Sequence, residues 1–192
     1  MQATYLKSLT KISDLPRSEK PQVAFIGRSN VGKSSLINHL AQQKNLARVS
    51  SESGRTRTIN LFEVDKRYYL VDLPGYGYAK ASKEKQEEFV GIINDYLWQV
   101  KQLKLIFLII DARIGLTELD HEAMHQLSES DAEIIMILNK ADKCSHSELA
   151  KLTKSLQNEY HGMQLIPHSS LSKMGRGEIL QEIEKMVRKN AS

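Results

Sequence analysis

Residues 27–35 read GRSNVGKSS and leave directly from a short apolar run, PQVAFI. Gly27, Gly32, Lys33 and Ser34 satisfy the pattern G-x-x-x-x-G-K-[ST]. Few local structures suit this pattern. The glycines let the backbone turn tightly, successive amide N–H groups then converge as an anion nest, and a helix start directs its dipole at the same point. A buried strand is therefore expected at 22–27, and a helix from Gly32 to about Lys44 with Leu36, Ile37 and Leu40 facing inward. The candidate phosphate contacts are Gly27, Arg28, Ser29, Asn30, Val31, Gly32, Lys33, Ser34 and Ser35. Lys33 would bring a mobile full charge to the β- and γ-phosphates of a nucleotide, and the Ser34 hydroxyl a ligand for Mg²⁺. The bland alternative is a glycine turn followed by an accidental Gly-Lys-Ser.

The rest of the chain sets the fold class. LKLIFLIID and EIIMILN are continuous apolar runs, as expected for central parallel strands covered on both faces. TINLFEVD and RYYLVDL read as two strands joined by a tight turn at Asp65-Lys66, and MQLIPHS as a last strand. Helices are expected over about 83–99, 117–128, 146–159 and 177–188, with Phe89, Ile92, Ile93, Tyr96 and Leu97 inward on the first of these. The expectation is an α/β fold in three layers: a six-stranded, mostly parallel sheet with one antiparallel edge strand and helices on both faces. Residues 1–20 are polar and carry Lys7, Lys11, Arg17 and Lys20, so they read as an N-terminal arm that frays or lies on the surface of a domain spanning 21–192.

Two further motifs follow in order. VDLPG places Asp72, Leu73, Pro74 and Gly75 after a strand, where the carboxylate can hold Mg²⁺ through a water and the Gly75 N–H can meet a γ-phosphate. LNKAD ends an apolar strand with Asn139, Lys140, Ala141 and Asp142. A buried Asp142 carboxylate could accept from guanine N1–H and its 2-amino group, and adenine would leave it unpaired at ~1–3 kcal/mol or more. Asn139 can tie this loop to the phosphate loop, and the Lys140 stem can lie across the ring. Each motif alone is a common turn; their order after the phosphate loop makes the reading specific. Ser169, Ser170 and Leu171, after the last strand, lie where a backbone N–H could meet guanine O6.

Composition narrows the class. The chain has 192 residues, 41% hydrophobic and 26% charged, with formal net charge +4, enough to bury a single core. The longest apolar run falls well short of the ~20 residues of a membrane span, the N-terminus has no apolar stretch of signal-peptide length, and the C-terminus VRKNAS carries no lipidation motif. A cytoplasmic, monomeric protein without a membrane partner is expected. Cys144 is the lone cysteine, read as an inert thiol, and no histidine pair has metal spacing; His39 and His168 read as residues without chemistry.

GRSNVGKSSLIN, GRTRTINLFE, LVDLPGYGYAK, DARIGLTELD, LNKADK and SSLSKMG together resemble the EngB (YihA/YsxC) family of bacterial GTPases, in the translation-factor-related class, over roughly residues 5 to 188. The resemblance implies GTP and GDP binding, GTP hydrolysis with Mg²⁺, and a role in assembling the large ribosomal subunit that is needed for normal cell division and septation. It also places Gly54, Arg55, Thr56, Arg57 and Thr58 against the nucleotide. Thr56 is expected to cap Mg²⁺ beside Ser34 and Asp72, with Thr58 as the competing candidate.

Ras-like enzymes carry a water-orienting glutamine directly after D-x-x-G, and Tyr76 stands there in this chain. Slow intrinsic turnover is expected, roughly 10⁻⁴ to 10⁻² s⁻¹. The catalytic candidates are Lys33, Thr56 and Asn30. By resemblance Asn30 holds K⁺ beside the phosphates; the plainer reading is that it shapes the loop through hydrogen bonds. Arg55, Arg57, Lys66, Arg67, Lys80, Lys83 and Lys85 read as a basic patch beside the switch loops that could dock ribosomal RNA. Tyr76, Tyr78 and Trp98 read as packing residues. The rival reading is a GTP switch that binds a protein partner directly in division, without RNA.

Overall fold

The structure, a computed structural model, describes residues 1–47, 58–77 and 83–190, with the backbone alone for 83–89. Seven strands form one sheet: β1 (Ala3–Leu9), β2 (Gln22–Gly27), β3 (Ile59–Val64), β4 (Tyr68–Asp72), β5 (Leu103–Asp111), β6 (Glu133–Asn139) and β7 (Gln164–His168). Five α-helices accompany them: α1 (Lys33–Ala41), α2 (Lys83–Gln99), α3 (Glu118–Leu127), α4 (His146–Glu159) and α5 (Arg176–Lys189). The spatial order is β1-β3-β4-β2-β5-β6-β7.

The expected count of six strands is corrected to seven. The polar segment expected to fray supplies β1, which pairs antiparallel with β3 from Ala3 opposite Val64 to Leu9 opposite Ile59. The antiparallel strand is β3, held between β1 and β4. It is therefore second from the edge, and β1 runs in the common direction of the other strands. The turn at Asp65-Lys66 is as expected. Both residues adopt left-handed φ values of 49° and 59°, and the Arg67 N–H closes on the Val64 carbonyl at 2.9 Å, which matches the right-handed twist of a hairpin.

The apolar runs work as two interleaved faces, because successive strand side chains point to opposite sides. Leu105, Phe107 and Ile109 pack with Leu36, Ile37 and Leu40 of α1 and with Ile179, Ile183 and Met186 of α5. Ile106, Leu108 and Ile110 pack on the other side with Ile93, Tyr96 and Leu97 of α2, Met124 and Leu127 of α3, and Leu156 of α4. Each such side chain contributes ~1.5–3 kcal/mol by leaving water. The buried Tyr96 hydroxyl donates to Gln22 Oε1 at 2.7 Å, so this core polar atom is satisfied. Trp98, expected inside, is 64% exposed: it lies one position off the buried Ile93–Tyr96–Leu97 stripe of α2.

Register lines up the carboxyl ends of the parallel strands. Phe25 is opposite Asp72, Gly27 opposite Ile109, Asp111 opposite Asn139, and Asn139 opposite His168. Gly27, Asp72, Asp111, Asn139 and His168 thus share one rim of the sheet, where open α/β sheets place their ligands.

Candidate functional site

The phosphate loop leaves β2 at Gly27 and enters α1 at Lys33. Two glycines are dictated by geometry. A Cβ on Gly27 would stand 2.5 Å from the Ile109 carbonyl oxygen of β5. Gly32 has φ of 96°, and a Cβ there would stand 2.6 Å from Asn139 Nδ2. Asn30 is also left-handed, at φ 69°, a conformation that asparagine tolerates better than most residues. Ser34 and Ser35 lie half-buried in the first turn of α1, while Val31 is buried.

Lys33 reaches across to β4, where its ammonium is ion-paired with the Asp72 carboxylate. Both are shielded, and Asp72 is 3% exposed. Asn60 Nδ2 on β3 also donates to Asp72, at 3.3 Å, and Thr58 Oγ1 and Ser8 Oγ both donate to Asn60 Oδ1. Thr58 is thereby occupied at the start of β3. Gly54, Arg55, Thr56 and Arg57 lie outside the described residues, so the expectations on them have no counterpart in this geometry.

After Asp72 the chain folds back over the phosphate loop. The Leu73 N–H donates to the Phe25 carbonyl, and the Ser29 N–H donates to the Tyr76 carbonyl, both at 3.0 Å. Gly75, after Pro74, lies so close that a Cβ would be 3.1 Å from the Gly27 carbonyl and 3.3 Å from Ser29 N. The Tyr76 side chain points to α3 and donates its hydroxyl to Asp120 Oδ1 at 2.7 Å. Asp120 is fully buried and also accepts from Arg28 Nε, Thr117 N and Thr117 Oγ1. Burial and the Asp120 charge both push the Tyr76 phenol far above its ordinary pKa, so it remains a donor. Arg28 Nη2 is buried without a hydrogen-bond partner among the described residues.

The loop after β6 locks onto the phosphate loop from the other side. Asn139 Nδ2 donates to the Val31 carbonyl at 2.8 Å. Lys140, left-handed at φ 61°, donates from Nζ to the Asn30 carbonyl at 2.7 Å and to Asp111 Oδ2 at 2.8 Å. Burial alone would push the Asp111 carboxyl up; hydrogen bonds from Arg113 and Lys140 outweigh it and hold the group well below the usual carboxylate range. Ala141 is buried beneath the short helical turn that carries Asp142.

Asp142 differs from the buried carboxylate expected from sequence, since its residue is exposed at the lip of the loop. Its side chain is 19% exposed beside Lys143 at 3.7 Å, and a hydrogen bond from Ser169 holds its pKa down. Ser169 itself is buried, and its Oγ accepts from the N–H groups of Leu171 and Ser172 at 3.1 Å. Ser170 is half-buried and the Leu171 side chain 77% exposed. A planar base seated between the Lys140 stem and this loop would itself cover Asp142.

Of the expected basic patch only Lys66 and Arg67 have described side chains, and these two stand away from this rim. Arg67 forms a bidentate pair with Glu184 of α5 at 3.0 Å, and Lys66 sits with it in the hairpin turn, at the end of β4 opposite Asp72. The side chains of Arg55, Arg57, Lys80, Lys83 and Lys85 lie outside the described ones. Sequence reasoning missed Asp111, Asp120 and His168 as organisers of the rim. Asp111 had a visible signal, a strand-ending carboxylate like Asp72; the other two had none. His168 is fully buried, with its Nδ1 2.8 Å from Asn139 Oδ1. Among the described residues no cluster of three or more His, Cys, Asp or Glu has metal-binding geometry, and no helix is long and apolar enough to cross a membrane.

Residues 22–140 match a family described as 50S ribosome-binding GTPase. A probable GTP-binding protein EngB of Phocaeicola vulgatus is 42% identical, covering 98% of this chain and 96% of that one. Among solved structures, a probable GTP-binding protein engB superposes with TM-score 0.72 at 25% identity, over 88% of this chain and 99% of that one. Era of Aquifex aeolicus, bound to GDP·AlF4⁻, superposes with TM-score 0.70 at 25% identity, over 86% of this chain and 56% of that one.

Proposed function

This chain belongs to the EngB family of GTP-binding proteins and is a GTPase, and from that premise we propose that it acts as a GTP-controlled switch in assembly of the large ribosomal subunit, needed for normal cell division. The switch rests on one observation: Tyr76 is anchored twice, by its carbonyl to Ser29 and by its hydroxyl to Asp120. The segment after Asp72 is thus tied to the loop that would hold the phosphates. The ribosomal partner is supported by the description of the matched family.

In this proposal the amides of residues 28–35 and the Lys33 ammonium receive the phosphates. Lys33 must leave Asp72 to do so. An unpaired buried carboxylate costs ~3–5 kcal/mol, so a cation has to replace the ammonium there. Mg²⁺ suits this position, with Asp72 through a water, the Ser34 hydroxyl and Thr56 as its holders. Bound there it would neutralise charge on the β- and γ-phosphate oxygens. Gly75 offers its N–H to the γ-phosphate. Asp142 reads guanine N1–H and the 2-amino group, with Asn139 and Lys140 shaping the base slot. We assign the O6 contact to the Ser170 N–H, because the Leu171 N–H already donates to Ser169 Oγ.

Among the described residues no side chain is left to orient the attacking water, since the Tyr76 hydroxyl is committed to Asp120. Intrinsic turnover then stays at roughly 10⁻⁴ to 10⁻² s⁻¹, and activation falls to the assembly partner. Co-sedimentation with large ribosomal subunits at low salt tests the proposal. Protein loaded with a non-hydrolysable GTP analogue should pellet with the subunit and GDP-loaded protein should not. Equal recovery of the two forms, or of neither, overturns it.

A further inference from the structure

His168 ends β7 beside the base loop and has no part in the chemistry above. Its Nε2 lies 2.9 Å from Nδ1 of His39 on α1, and its Nδ1 lies 2.8 Å from Asn139 Oδ1. The proton positions follow from one end of this chain. The Val31 carbonyl can only accept, so Asn139 presents Nδ2 to it and Oδ1 to His168. His168 must then carry its proton on Nδ1 and accept at Nε2, so His39 donates from Nδ1. In neutral His39 the remaining nitrogen, Nε2, is an acceptor.

His39 lines a cleft of about 530 Å³ between the end of α1 and the start of α5, with Lys44, Lys173 and Arg176. No carboxylate is among its described lining residues. The walls are preformed. Arg176 is fixed by donating to the carbonyls of His39 at 3.0 Å and Leu40 at 2.8 Å. The Asn38 side chain holds the chain after α1 by exchanging hydrogen bonds with Ala47, at 2.7 and 2.8 Å.

We propose that this cleft binds a phosphate group, and that the His39–His168–Asn139 relay couples its occupancy to the base loop. Three cationic side chains line this one concavity, a setting that favours an oxyanion. Protonating His39 at Nε2 changes no tautomer in the relay and adds charge to its first hydrogen bond. The surroundings otherwise oppose that proton. Burial, then Arg176, then Lys173 lower the His39 pKa, Lys44 adds a further positive charge in the same cleft, and Asp142 is the acid acting on His168. A bound phosphate counters the cations and admits the proton. The relay then grips Asn139 and Val31 more tightly, and bound nucleotide leaves more slowly.

The test uses full-length protein saturated with GDP and Mg²⁺, so that the phosphate loop is filled. Inorganic phosphate is titrated at constant ionic strength while the His39 ring resonances are followed by NMR. A saturable shift is expected, with the His39 midpoint rising by about half a pH unit or more, equivalent to about threefold tighter binding by the protonated form. Release of labelled GDP should slow by about twofold or more in the same titration. The double variant Lys44→Ala, Lys173→Ala should lose both effects while its unfolding midpoint stays unchanged. A short single-stranded oligoribonucleotide in a parallel arm distinguishes the source: saturation far below the phosphate concentration indicates an RNA backbone, and its absence indicates a small phosphorylated ligand. No saturable shift with either probe, or an undiminished shift in the double variant, overturns the cleft. A shift without slower GDP release overturns the coupling, which alone rests on the proposed guanine site.

Discussion

Tyr76 donates its hydroxyl to Asp120 Oδ1 at 2.7 Å, across 44 residues of sequence, and Arg28 of the phosphate loop donates to the same carboxylate. Tyrosine here is a tether between the segment after Asp72 and the first turn of α3, and its hydroxyl is turned to that helix. Tyr76→Phe should therefore cost ~1–2 kcal/mol of stability, the loss of a hydrogen bond to a charged, buried acceptor. It should leave single-turnover GTP hydrolysis within about threefold of wild type. A rate loss near a hundredfold would mean that the phenol acts on the water.

Lys33 and Asp72 form an ion pair that the proposed phosphate contact would break. Lys33→Ala should lower GDP affinity by about a hundredfold or more, as expected for loss of a charge-assisted phosphate contact. It should also destabilise the ligand-free protein by ~3–5 kcal/mol, since Asp72 is left buried without a countercharge, held among the described residues only by Asn60. Adding Asp72→Asn to that variant should restore most of the stability and none of the affinity. Urea denaturation beside fluorescent-nucleotide titration reads the two quantities separately.

His168 makes stability depend on pH in a set direction. Burial, reinforced by repulsion from His39, holds its imidazole pKa down to about 4 in the fold, against 6.5 unfolded. Between those values the unfolded chain takes up a proton that the fold refuses. Stability is complete above about pH 6.5 and falls as pH drops towards 4, by up to ~3 kcal/mol in total. His39, whose pKa is also lowered, adds a slope of the same sign. Urea midpoints measured from pH 7.5 to 4.5 should show this decline, and His168→Gln should flatten it.

Asn30 separates two readings cleanly. A potassium ligand predicts faster hydrolysis in KCl than in NaCl at equal ionic strength, lost in Asn30→Gly. A loop-shaping residue predicts equal rates. The left-handed φ of 69° gives a reason for asparagine without an ion. Equal rates within twofold are the expected outcome, with Asn30→Ala weakening nucleotide binding because alanine lacks the short polar side chain that eases asparagine into this left-handed conformation, which otherwise costs ~1–2 kcal/mol.

Most of the sheet was legible because its central strands are buried on both faces and read as unbroken apolar runs. β1 was not. Only Ala3 and Leu9 of its seven residues are buried, and a register shift between Tyr5 and Lys7 breaks the period of two. The loops after β2 and β6 were legible because their signals are local: a glycine turn into a helix, and the strand-ending Asp72 and Asn139. The partners of those residues were not. Asp120 meets Arg28 across 92 positions and His168 meets His39 across 129, and no local pattern encodes such a meeting. Asp142 differs from the buried carboxylate expected because it sits at the lip of its loop, where no described strand or helix packs over it.

The strand order has a consequence for how the chain is made. β2 holds the phosphate loop, yet its neighbours come much later: Val23 pairs with Leu70 on one side and with Leu105 on the other. As the chain leaves the ribosome, an apolar strand with both edges open must wait for β5 before it is enclosed. Such long-range parallel pairing is slow and exposes nascent chains to aggregation. The proposed nucleotide site cannot exist on a partly synthesised chain, because Ser170, its last contact, lies beyond β7. Truncation before β6 should therefore yield no weakened GTPase, only an unfinished sheet for chaperones to shield.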